Sequence, residues 1–234
     1  MGKRVKIALA VLSVALVGVI GWELAQPREP EPVYQGKSLS EWLRVAETSH
    51  SNKAEAEAEA EAATRQAGTN AIPTLLRLLR VKDSVLKVKF MSLVQRQQTI
   101  KIEFTPAEDW NNAGDYGFQA LGTNAQSAVQ ALIRITDQNI SPASHESAVA
   151  ALRFIGPPAK AGVPSLLRWA TNADGYVRNQ AICALGSIHA EPERVVPVLI
   201  NGLHDPGASS RLFTHAASIK ARPKKPMSYQ SVLP

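Results

Sequence analysis

The 234-residue chain has one cysteine, Cys183, so it forms no intrachain disulfide and carries no Cys-x-x-Cys pair. Cys183 lies beside Ile182 on an apolar stretch and reads as a small buried side chain. Aromatic residues make up only 6% of the composition, which suits Ala- and Leu-rich helix packing better than a β-sandwich. Catalytic signatures are also missing: there is no Gly-x-Ser-x-Gly and no His-Glu-x-x-His. Gly36-Lys37-Ser38 matches the end of a phosphate-binding loop, but Glu31 stands where that loop needs glycine, and prolines stand where it needs a strand. The expectation is therefore no catalytic residue, no cofactor and no metal. Concentrated positive charge is lacking as well, despite a formal net of +6. Lys3, Arg4 and Lys6 at one end and Arg211, Lys220, Arg222, Lys224 and Lys225 at the other leave 18 basic against 20 acidic residues between them. That interior is close to neutral, and no nucleic-acid partner is expected of it.

What is present is a repeat. Ala71-Ile72-Pro73-Thr74-Leu75-Leu76, Ala128-Val129-Gln130-Ala131-Leu132-Ile133, Gly162-Val163-Pro164-Ser165-Leu166-Leu167 and Val195-Val196-Pro197-Val198-Leu199-Ile200 follow one pattern, offset by about 57, 34 and 33 residues. Units of this length cannot bury their own apolar faces, so they stack side by side as a solenoid. Upstream of each copy an apolar segment ends in glycine, at Gly68, Gly122, Gly156 and Gly186, where a helix would need a left-handed C-terminal residue. Val177, Ala181, Ile182, Leu185 and Ile188 fall at helical spacing. Pro73, Pro164 and Pro197 sit in the first turn or two of the second helix, where a missing amide proton costs little. Each unit is thus a helix, a tight turn and a second helix.

Asp174-Gly175-Tyr176-Val177-Arg178-Asn179-Gln180-Ala181, followed by Ala184-Leu185-Gly186, resembles the HEAT repeat, particularly the bacterial PBS-lyase HEAT-like kind. The resemblance covers roughly residues 54 to 221 and is strongest from Gly122 to Leu203. It implies an all-α fold, a right-handed α-solenoid of helical hairpins, with Asp174 capping a first helix and Arg178 reaching to the neighbouring unit. Gly122, Gly156 and Gly186 would be structural in the same way. One family of HEAT-like iron hydroxylases repeats His-Glu dyads in successive units. Here His145-Glu146 stands alone, with Arg178-Asn179 at the corresponding place in the next unit, so that metal cage is absent. Some relatives handle bilin chromophores, which keeps a lyase-like or otherwise catalytic accessory role as the alternative to a non-enzymatic binding scaffold. A truncated, degenerate copy is a third reading, since Ser218-Ile219 stand where Leu-Gly is expected after Arg211. An uncapped C-terminal end of that kind predicts self-association.

The ends divide the chain further. Residues 1–25 read as a membrane-directing segment: basic residues precede an uncharged run from Ile7 to Trp22. As a helix this run spans roughly 24 Å, short of the roughly 30 Å hydrocarbon core, with Trp22 as an interfacial anchor. An uncleaved single-pass anchor and a cleaved signal peptide, with secretion, both remain. The basic flank favours a cytoplasmic N-terminus, which sends the rest outside or into the periplasm. Residues 26–36 form a Pro-rich spacer, 37–221 the solenoid with an insertion near 83–104, and 222–234 a basic tail. Ser38 and Glu41 fit a capping box, after which Trp42 and Leu43 cover the first unit. The Ala-Glu alternation over 53–63 reads as a solvated outer helix. Leu86, Phe90, Leu93 and Val94 predict an extra helix in the insertion, and Thr105-Pro106-Ala107-Glu108 an N-cap with proline at the first position. Trp110, Tyr116 and Trp169 are the candidate contact residues for a protein or peptide partner, because aromatics are enriched at binding hot spots.

Overall fold

The computed structural model describes residues 30–49, 51–85, 87–89 and 105–203. The segment 1–25, most of the insertion (90–104) and everything from 204 onward, including Arg211 and the tail 222–234, lie outside the described residues. The chain divides into two units, Met1–Glu31 and Pro32–Pro234, and all elements named below belong to the second. Among the described residues no helix is long and apolar enough to cross a membrane.

The fold is all-α apart from one minimal hairpin. In it β1 (Val33–Tyr34) pairs antiparallel with β2 (Lys37–Ser38), placing Val33 opposite Ser38 and Tyr34 opposite Lys37. Gln35 and Gly36 both take positive φ (47° and 80°), as a two-residue turn matching the strand twist demands. The spacer expected to run to residue 36 therefore gives way to ordered backbone at Val33. Ser38 then caps α1 (Leu39–Thr48), its Oγ accepting from Glu41 N at 3.4 Å. The hairpin is pinned to α1 by Trp42, whose Nε1 donates to Tyr34 O at 2.9 Å while Lys37 Nζ lies 4.1 Å from its ring. Leu39, Trp42, Leu43 and Ala46 are buried on one face.

That face meets α2 (Lys53–Ala67), the Ala-Glu helix. Its alanines do more than the alternating pattern suggests. Ala56, Ala60, Ala63 and Thr64 fall three and four apart and are buried, while the glutamates turn outward. Lys53–Glu57 (3.8 Å) and Glu61–Arg65 (2.5 Å) pairs offset part of the repulsion between glutamates four apart. A helix that reads as merely solvated is thus half packed, and small side chains let α1 lie close.

The remaining helices are α3 (Ile72–Leu79), α4 (Ala107–Leu121), α5 (Val129–Gln138), α6 (Pro142–Ile155), α7 (Val163–Trp169), α8 (Gly175–Ile188) and α9 (Pro192–Leu203). Short 3-10 segments, 68–71, 122–128 and 157–162, join α2 to α3, α4 to α5 and α6 to α7. Contacts follow one rule throughout. The first helices α2, α4, α6 and α8 pack each on the next, and α3, α5 and α7 pack each on the first helix that follows. The 3-10 segments touch one another in the same order. The apolar core is the seam between these rows, with Leu75, Leu79, Phe118, Leu132, Ile135, Leu152, Ile155, Leu166 and Leu185 fully buried.

Glycine sets the turns, though not as a left-handed helix cap. Gly68, Gly122 and Gly156 follow α2, α4 and α6 with φ/ψ of 55/−134°, 52/−129° and 70/−136°. This is the mirror image of the extended region, which only glycine enters at low cost. Gly186, expected to do the same, is instead buried inside α8, which runs on to Ile188 and ends at His189 in the left-handed helical conformation (φ 53°, ψ 35°). A side chain at Gly122 would sit 4.0 Å from Phe154 O, and one at Gly156 3.7 Å from Ser187 O. Phe154 lies two before Gly156 and Ser187 two before His189, so His189 is the structural counterpart of the glycines. Pro197 stands at the sixth position of α9, within its second turn.

A different need explains Gly117. Its added Cβ would meet Leu75 Cδ2 at 2.3 Å, and one at Gly114 would meet Leu75 O at 3.2 Å. These two residues let α4 approach α3 closely. The start of α4 also departs from expectation: the N-cap is Pro106, not Thr105, and Ala107 N donates to Asp83 Oδ2 (2.9 Å) from 24 residues upstream.

Candidate functional site

The three aromatic candidates are half-buried, packed against the core and widely separated in role. Tyr116 on α4 donates its hydroxyl to Glu57 O on α2 at 3.0 Å, fastening two first helices together. Trp169, at the end of α7, falls where the other second helices place buried Leu78 and Ile135. Its ring packs on His145 of α6 with centroids 4.1 Å apart, and its Nε1 is enclosed without a partner. Trp110 packs partly against the core near the start of α4. The structure does not gather the three on one patch by any contact between them.

Asp174 and Arg178 organise the start of α8. Asp174 Oδ1 accepts from Tyr176 N (2.8 Å) and Val177 N (3.3 Å). Arg178 donates from Nη1 to Asn172 O (2.8 Å) and Ala173 O (3.3 Å), tying down the turn that links α7 to α8. Both side chains serve a connection between successive helix pairs.

The His145-Glu146 dyad splits on folding. His145 turns into the core against Trp169, where burial lowers its basicity below the usual histidine range while Asp137 pulls the other way. Glu146 faces a recess, and burial raises its carboxyl, helped by Glu108 and Asp174. Asp137 itself accepts from Ser165 Oγ (3.3 Å) and pairs with Arg168. Among the described residues no group of three His, Cys, Asp or Glu side chains is placed to hold a metal ion. Cys183 is buried, its thiol shifted upward by burial, the opposite of what a nucleophile needs.

The recess has a volume of about 390 Å³ and lies where the N-terminal ends of α4 and α6 meet the connection after α3. Ala107, Pro142 and Ala143 supply apolar wall, with Lys82, Asp83, Glu108, Asn111, Ser141 and Glu146 around them. Asn111 is fully buried; its Nδ2 donates to Leu78 O (2.9 Å) and Val81 O (3.2 Å), which fixes its orientation, and its Oδ1 has no donor. Sequence reasoning missed Asn111. The signal was a polar residue on the apolar stripe Ala107, Asn111, Gly114, Phe118, Leu121.

A second polar feature crosses the first helices. Asn112 Nδ2 on α4 donates to Glu47 Oε1 on α1 at 3.3 Å, and Asp115 lies one turn on. Asp115 Oδ1 is enclosed without a partner, and burial pushes this carboxyl up to about 7. Arg153 on α6 pulls it down and Glu47 adds to the rise.

Compared with models of protein families, with curated proteins and with solved structures, the chain shows no match.

Proposed function

We propose that this chain is a non-enzymatic binding scaffold: a right-handed, HEAT-like α-solenoid that presents its surface to a protein or peptide. The reading includes tethering through residues 1–25, with the helical domain outside the cytoplasm. The observation that carries it is the translational repetition of one contact. Each second helix packs on the following first helix, and Gly122 and Gly156 each stand over a carbonyl two residues before the next cap. Stacking of that kind builds extended surface without building a deep enclosed site, and extended surface is what such arrays use. Among the described residues, Cys183 is buried with its thiol shifted upward and His145 packs into the core, so neither is placed as nucleophile or base.

The test is crosslinking in cells followed by affinity capture of the tagged full chain from the membrane fraction. A discrete, stoichiometric partner is the expected result. Recovery of only self-crosslinked species and chaperones would sink the reading and favour a degenerate repeat copy.

A further inference from the structure

We infer that the recess between the N-terminal ends of α4 and α6 receives a guanidinium side chain, an arginine presented by the partner. This rests on the scaffold reading and gives its surface a chemistry.

The recess holds more hydrogen-bond acceptors than donors to meet them. Around the recess most polar groups are already matched within the chain. Asp83 Oδ2 accepts from Ala107 N (2.9 Å), its Oδ1 lies 3.1 Å from Lys87 Nζ as an ion pair without an aligned hydrogen bond, and Ser141 Oγ accepts from Ser144 N (3.1 Å). Among the described residues Glu108 and Glu146 have no ion pair and Asn111 Oδ1 has no donor. Acceptors are therefore in surplus, and Lys82 is the one cation in the wall among the described residues. A buried acceptor without a donor is costly, and Glu146, whose carboxyl burial raises with Glu108 adding to the rise, asks for a cation beside it.

A guanidinium fits this set better than an ammonium. Its five donors lie in a planar fork and it is weakly hydrated, so it supplies several acceptors at once with less desolvation. Ala107, Pro142 and Ala143 offer apolar surface for an aliphatic stem, and about 390 Å³ is ample for one arginine side chain. An anion is disfavoured despite the two helix N-termini. Their leading amides are already occupied by Asp83 and Ser141, and the wall is net negative.

The probe is a short acetylated, amidated peptide with one central arginine, titrated into the full-length chain in detergent, with its citrulline analogue as the neutral isostere. Binding of the arginine peptide, lost by at least ~10-fold with citrulline and by a similar factor in Glu108→Gln/Glu146→Gln, is expected for charge-assisted contacts. Lys82→Ser removes the competing cation and tightens binding. Equal binding of both peptides, or an unchanged affinity in the double glutamine variant with its circular dichroism and melting point intact, overturns the inference. The two readings fail separately. If the cellular partner is captured equally by wild type and by the double variant, the scaffold stands and the recess does not. If no partner is captured but arginine-selective binding persists, the recess stands and the scaffold does not.

Discussion

Replacing Gly68 by alanine isolates a backbone cost from every other effect. The residue holds φ 55° and ψ −134°, and an added Cβ has nothing within 4 Å, so no clash or cavity enters. Holding an L-residue in this region costs on the order of 1–3 kcal/mol. Alanine also narrows the unfolded ensemble, which returns about 0.4–1 kcal/mol. The net expectation is a loss of about 1–2 kcal/mol. Gly122→Ala and Gly156→Ala should fall in the same range, because their new Cβ atoms would lie no closer than 3.7 Å to the Phe154 and Ser187 carbonyls. His189→Gly is the control, since the left-handed helical well at φ 53°, ψ 35° is open to L-residues at roughly 1–2 kcal/mol, close to the entropy that glycine adds back. It should change stability by less than about 0.5 kcal/mol. Urea unfolding followed by far-UV circular dichroism measures all four. A Gly68→Ala chain as stable as wild type would refute the reasoning, as would a His189→Gly effect as large as those of the glycines.

Three other variants probe separate contacts. Gly117→Ala forces a methyl to 2.3 Å from Leu75 Cδ2, and the α3–α4 approach should open at a cost of about 1–3 kcal/mol; an unchanged urea midpoint would show that Leu75 yields freely. Asp174→Ala removes the acceptor for Tyr176 N and Val177 N, with a loss of roughly 1 kcal/mol that Asp174→Asn largely restores; equal loss in both would assign the effect to charge and not capping. Asp115 carries a folded pKa of about 7 against 3.8 when unfolded, so the native state holds the extra proton between these values and stability falls as pH rises through them, by up to roughly 1 kcal/mol per unit. Asp115→Asn should flatten that limb of a melting-temperature profile, and an unaltered slope would place the carboxyl in a far wetter setting.

Helix content and the capping roles of Ser38 and Asp174 were legible because each depends on residues close together in the chain, whereas the main partner of α3, α5 and α7 proved to be the following first helix and not the one before it. What escaped depends on residues far apart. Asp83 closing the start of α4 spans 24 residues, and no local signal marks it as more than an insertion residue. Gly186 resembles Gly156 in its sequence neighbourhood, yet α8 continues two residues beyond it; the cap is set by stacking on the preceding pair, where Ser187 O meets Gly156. Trp110, Tyr116 and Trp169 stand out in the sequence only as aromatics, and packing alone shows that Tyr116 is tied to Glu57 and Trp169 to His145. The recess was hidden for the opposite reason: Glu108, Asn111 and Glu146 are unremarkable alone and become a site only where two helix ends converge.

The connection after α3 runs from residue 80 to 106, whereas α5 passes to α6 through 139–141 and α7 to α8 through 170–174. The packing of second helix on following first helix is nonetheless the same at all three places. The same stacking is thus reached across connections of very different length. Sequence can therefore be added or exchanged at this junction without disturbing the geometry on either side of it, and the junction borders the recess. A lineage could retune what that recess meets by rewriting one connection while the helices stay as they are.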